Sequence, residues 1–95
     1  MKEKQFENKV KRYLKSKGIY YFKYFGNAYS TPGILDLTLC VKGRFIAVEL
    51  KTETGKTSVL QDYNINEIRR CGGIAIVLKP SGFEKFKKMI EELLN

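Results

Sequence analysis

Apolar and polar positions alternate most regularly between residues 35 and 51. Folded about the Lys42-Gly43 step, this stretch reads as two strands joined by a tight turn. One face then carries Leu35, Leu37, Leu39, Ile46, Val48 and Leu50. The other carries Thr38, Cys40, Phe45 and Ala47 near the turn, and Asp36, Glu49 and Lys51 at the open end. Centring the turn on Lys42-Gly43 sets the register: Val41 faces Arg44, Leu39 faces Ile46, Leu37 faces Val48, and Asp36 faces Glu49.

The remaining elements follow from spacing. Phe6, Val10, Tyr13 and Leu14 repeat at helical intervals and predict a helix over about residues 3–17, ended by Gly18. Ile19 to Phe25 is rich in β-forming aromatics and reads as a strand whose rings serve core packing and a subunit contact rather than base stacking. A polar loop to Gly33 leads into the hairpin; that glycine serves a turn or a close approach of the backbone. Ser58 looks like the cap of a second helix reaching about Arg70 and stopped by Gly72-Gly73. Ile74 to Leu78 is a short buried strand, and Ser81 caps a last helix striped with Phe83, Phe86, Met89, Ile90, Leu93 and Leu94. With no repeat or linker, residues 1–95 form a single domain. The order α-β-β-β-α-β-α, with apolar residues on both hairpin faces, predicts an α/β fold: a mixed sheet flanked by helices on both faces.

Charge narrows the partners. Lys+Arg 18 against Asp+Glu 10 gives a net charge of +8, which favours a polyanion, nucleic acid before an acidic protein or a membrane. No apolar run approaches the ~18 residues a membrane span needs, and the N-terminus lacks the apolar centre of a signal peptide. Cys40 and Cys71 do not make a disulfide framework, which points to a reducing, intracellular compartment. The absence of histidine removes ordinary zinc sites and histidine-based acid/base or nucleophilic catalysis. Nothing in the helical stripes suggests a small-molecule cofactor.

Acids are scarce, so two of them opposed on a sheet face carry information. Directly opposed side chains lie roughly 5 Å apart, and like charges there are destabilising unless a cation intervenes or one acid keeps its proton. Asp36 and Glu49, with the backbone carbonyl of Leu50, would supply half a coordination shell for magnesium. Lys51 leaves the same face and could orient or deprotonate an attacking water, or stabilise a pentacovalent phosphorus. The same residues also make an ordinary cross-strand ion trio, with Lys51 neutralising the acids. Gln61 shares a helix face with Ile65 and Ile68, yet Ser58-Val59-Leu60-Gln61 is also a capping box. Glu7 leans toward the body of the protein, or pairs with Lys11 one turn on. Lys56, in the loop after Lys51, is placed to meet phosphate; Lys23 and Arg44 are further candidates for DNA contact by position.

Asp36, then Glu49-Leu50-Lys51, an acid in the first helix and a glutamine after the lysine resemble the PD-(D/E)XK nuclease superfamily. The spacing is most similar to stand-alone phage VRR-NUC (virus-type replication-repair nuclease) domains, with Holliday junction resolvases as neighbours. Gly33 fits that pattern, whereas Leu35 stands where the family often has proline. The resemblance implies a restriction-endonuclease-like core and Mg2+- or Mn2+-dependent hydrolysis of DNA phosphodiesters leaving a 5′ phosphate. It implies Asp36 and Glu49 as metal ligands, Lys51 as the catalytic lysine, Gln61 as a supporting residue and Glu7 as an accessory acid. It further implies a homodimer acting on branched DNA such as four-way junctions, in the cytoplasm of a bacterial or phage-infected cell. A non-catalytic basic DNA-binding module of the same fold is the alternative.

Overall fold

The hairpin turns at Lys42 and Gly43, whose φ angles of 51° and 82° are both positive, as a two-residue type I′ turn requires. The computed structural model describes all 95 residues. In it β2 (Leu37–Val41) and β3 (Arg44–Leu50) pair antiparallel with Val41 opposite Arg44, Leu39 opposite Ile46 and Leu37 opposite Val48. The counted register is therefore the observed one. Strand β1 (Tyr20–Lys23) adds antiparallel to β2, and β4 (Ile74–Leu78) adds parallel to β3, giving the order β1-β2-β3-β4. A parallel pair needs a crossover, and α2 (Val59–Arg70) supplies it. With α1 (Glu3–Ser16) and α3 (Phe83–Leu94), the protein is an α/β fold built on a four-stranded mixed sheet and three helices.

The two sheet faces are packed unequally. On one, Leu37, Leu39, Ile46, Val48 and Leu50 meet Phe6, Val10 and Leu14 of α1 and Phe83, Phe86 and Ile90 of α3. Edge-to-face rings of Phe6, Tyr13 and Phe83, with centroids 5.9–6.0 Å apart, join the two helices. On the other face only Ala47 and Ala75 sit beneath α2, through Ile65 and the partly buried Ile68. The small alanines let α2 lie close over β3 and β4. Beyond them Tyr20, Phe22, Cys40 and Phe45 are exposed, so the expected burial of both faces holds for only half of this one.

Three local expectations are corrected. The first strand is shorter than the Ile19–Phe25 run: Ile19 is buried in the main core, while Phe25 lies beyond the strand and is exposed. Leu35 does not continue the Leu37 face, because the chain bends at Asp36 and carries Leu35 to Ala47, Ile65 and Ala75. Ser81 is not the cap of α3. It sits in a 3-10 turn (Pro80–Gly82), and its backbone N–H and Oγ donate to the Glu53 carboxylate at 2.6 and 2.8 Å.

Candidate active site

Asp36 lies at the bend just before β2, and Glu49 is the penultimate residue of β3. Their side chains are exchanged across the strand pair. The Leu50 N–H donates to Asp36 Oδ2 at 2.9 Å, and the Asp36 N–H donates to Glu49 Oε1 at 3.2 Å. The regular ladder stops at Leu37 opposite Val48, so Asp36 replaces the next backbone acceptor with its own carboxylate. A strand residue projects its N–H and C=O to the same side. The Leu50 carbonyl consequently points toward Asp36, past the first residue of β2, where no strand residue remains to donate to it.

Glu49 is 3% exposed. Burial first, then the negative charge of Asp36, pushes its carboxyl above the usual range; the Lys51 ammonium and the Asp36 N–H pull in the opposite direction without cancelling this. Lys51 Nζ lies 3.3 Å from Glu49 Oε2. Lys51 is itself anchored, since its N–H donates to the Leu78 carbonyl at 3.0 Å and so extends the β3–β4 pairing.

Gln61 satisfies both of its sequence readings at once. Its Oε1 accepts the Ser58 N–H at 2.9 Å, and its own N–H donates to Ser58 Oγ at 3.1 Å, completing the capping box of α2. Because the carbonyl end is held there, the amide nitrogen is aimed the other way and donates to Glu49 Oε2 at 2.8 Å. The cap fixes the rotamer that reaches the acid. Gly33 supports the same joint from the loop side. At φ +80°, it packs so closely on α2 that a Cβ there would lie 2.6 Å from the Leu60 carbonyl group. The close approach is thus to the protein's own helix. A cleft of ≈ 460 Å³ between the 24–34 loop and Asp36 opens beside the pair.

Glu7 is placed elsewhere. Its buried carboxylate is held by Lys11 and Lys23 at 2.8 Å each and by Lys4 at 3.1 Å. Burial alone would raise this acid, but hydrogen bonds from Lys11, Lys23 and Lys4 overcome it and bring the carboxyl down to about 2. The pairing with Lys11 expected from sequence is present, but it is one of three. No three of the Asp, Glu and Cys side chains are grouped closely enough to hold a metal together, so Glu7 does not extend the Asp36–Glu49 pair into a triad. Lys23 is spent on Glu7 and lies opposite Leu37, on the α1 side of the sheet. Arg44 is exposed at the hairpin turn, the far end of β3 from Glu49, and Lys56 is exposed in the loop after Lys51.

The pair suits a hard divalent cation. Magnesium takes one or two carboxylates and keeps several waters. Two acids close enough for one to raise the other, with the Leu50 carbonyl on the strand side that faces Asp36, could offer such a half-shell. One supporting residue escaped the sequence reading. Glu53 ties the loop after Lys51 to the turn before α3 through Ser81, 28 residues away, and no local pattern announces so distant a pairing. No helix is long and apolar enough to cross a membrane. No family model matches the chain, nor does any curated protein or solved structure.

Proposed function

We propose that the protein is a magnesium-dependent, structure-selective DNA endonuclease that hydrolyses phosphodiesters in branched DNA. One observation carries the reading: Asp36 and Glu49 meet at the open end of the hairpin, with Lys51 3.3 Å and Gln61 2.8 Å from the same Glu49 oxygen. Opposed acids that could share a divalent ion, an adjacent ammonium and an orienting amide suit hydrolytic attack on a phosphate diester. The element order and the placing of Asp36, Glu49 and Lys51 support a PD-(D/E)XK core of the VRR-NUC kind.

Asp36, Glu49 and the Leu50 carbonyl would hold the ion. Bound there, it would supply a water of lowered pKa and neutralise charge on a phosphoryl oxygen. Gln61 holds Glu49 in its rotamer. Lys51 sets its ammonium at the edge of the pair, where it can orient the attacking water and offset negative charge gathering on phosphorus. Hydrolysis adds water across the P–O3′ bond and leaves a 5′ phosphate. The excess of basic residues supplies affinity through phosphates without sequence information, which suits a reader of DNA shape.

A second reading has its own observation. Each carboxylate of the pair already accepts a backbone N–H across the strands, as a purely structural joint would. A non-catalytic DNA-binding module of this fold would bind junctions identically with and without magnesium. The deciding test is incubation of labelled four-way junction, flap, duplex and single-stranded DNA with Mg2+. We expect cutting of the branched substrates, lost in Glu49→Gln and in Lys51→Met. Absence of cutting by the wild type, or full activity in Glu49→Gln, excludes the nuclease.

A further inference from the structure

The half of the sheet face that α2 leaves open is aromatic, and it leads to the acid pair. Tyr20, Phe22 and Phe45 are 70%, 48% and 51% exposed there. Register places them in rows across the sheet. Tyr20 stands opposite Cys40, which stands opposite Phe45; in the next row Phe22 stands opposite Thr38, which stands opposite Ala47. One further step along the same face brings the Asp36–Glu49 pair. Successive rows on one face are about 7 Å apart. Counted along the strands, Phe22 and Tyr20 therefore stand roughly 7 and 14 Å from the row of the acids, on β1, the antiparallel neighbour of β2.

Phe45 touches the fold along its edge beside Gly73, whereas Tyr20 and Phe22 stand outside both apolar cores. Their neighbour Tyr21 points to the main core, whereas Tyr20 and Phe22 alternate away from it. We infer that this face is a stacking platform for unpaired nucleic-acid bases, which grips a single strand leading into the Asp36–Glu49 site. Rings spaced at every second strand residue offer flat apolar faces to successive bases, and every base has a π-face to place on them. Charge favours a polyanion, because the chain carries +8 and the exposed Lys42 stands at the hairpin turn. Area argues against a second protein chain as the occupant. Three rings about half exposed offer on the order of 300 Å², well under the ~800 Å² per partner of a standard interface. The inference deepens the nuclease reading by assigning its substrate an unpaired arm, and it rests on that reading only for what happens at the acid end.

The test is binding without cleavage, so that it does not depend on the chemistry. Fluorescently labelled single strands of about twelve nucleotides and a blunt duplex are titrated in EDTA with wild type, Tyr20→Leu/Phe22→Leu and Tyr20→Phe/Phe22→Tyr. Leucine keeps an apolar surface and removes the ring, and both positions are exposed, so the fold has little reason to respond. We expect the leucine pair to lose roughly tenfold or more in single-strand affinity, with duplex affinity unchanged, and the ring-retaining pair to match wild type. Equal single-strand binding by the leucine pair overturns the platform, as does an equal loss on duplex. So does a wild type that sediments as a dimer through this face, becoming monomeric in the leucine pair. Should the acid pair prove non-catalytic, the binding difference would stand unaltered.

Discussion

At the residue scale, the two buried acids are opposite cases of one principle. Glu49 is raised, first by its burial and then by the like charge beside it; Glu7 is ringed by Lys4, Lys11 and Lys23 and is lowered to about 2. The pair at Asp36 and Glu49 thus works against the fold, while Glu7 works for it. Asp36→Asn keeps an oxygen for the Leu50 N–H and removes the charge facing Glu49. In the absence of metal it should stabilise the protein by about 1 kcal/mol, a rise of roughly 4–8 °C in Tm for a domain of this size. A melting curve in EDTA checks this, and a lower Tm would contradict it. For Glu7 the folded carboxyl lies below its unfolded value of 4.5. Its contribution is therefore present above pH 4.5 and fades as pH falls toward about 2. Glu7→Gln should cost about 1–2 kcal/mol at pH 7, after discounting for the exposed Lys4 partner. It should also flatten the acid limb of the stability curve measured by urea unfolding.

At the scale of elements, the site depends on a joint between the loop before β2 and the first turn of α2. Gly33 presses on the Leu60 backbone and Gln61 reaches from the same turn to Glu49, so loop and helix set the acid geometry together. Gly33→Ala must move that helix end or abandon φ +80°. We expect a loss of about 2 kcal/mol or more in urea unfolding, with the remaining folded protein impaired in magnesium uptake. Unchanged stability would show that the contact is slack. The hairpin, its register, the capping box and the order of elements were legible in the sequence because each rests on local spacing or turn chemistry; the parallel pairing of β4 with β3 is a long-range contact that no local pattern fixes. Leu35 was misplaced because strand alternation was carried one residue past the bend at Asp36. Ser81 looked like a cap because its distant acceptor, Glu53, leaves no local trace. The open aromatic face was hidden for a similar reason. Ring-rich strands signal burial, and only the short reach of α2 over Ala47 and Ala75 decides that Tyr20 and Phe22 face solvent.

At the scale of the whole molecule, the 95-residue chain carries a net charge of +8, and the acid pair stands at one end of a half-open sheet face. Binding to duplex or junction DNA should weaken steeply with salt, since each phosphate contact contributes a log–log slope near −0.9. A fluorescence titration across salt concentrations reads that slope directly, and binding indifferent to salt would contradict the role given to the basic residues. That Asp36 and Glu49 converge was legible from the register alone; that Glu7 stands apart was not, because three lysines from two different elements capture it. The central claim is that the opposed acids are a place for a divalent cation. Calorimetric titration of Mg2+ into the wild type and Asp36→Asn at pH 7 tests it most directly. The account predicts one saturable site per chain in the wild type and none in the folded Asp36→Asn protein. No uptake by the wild type, or equal uptake by both, would contradict it.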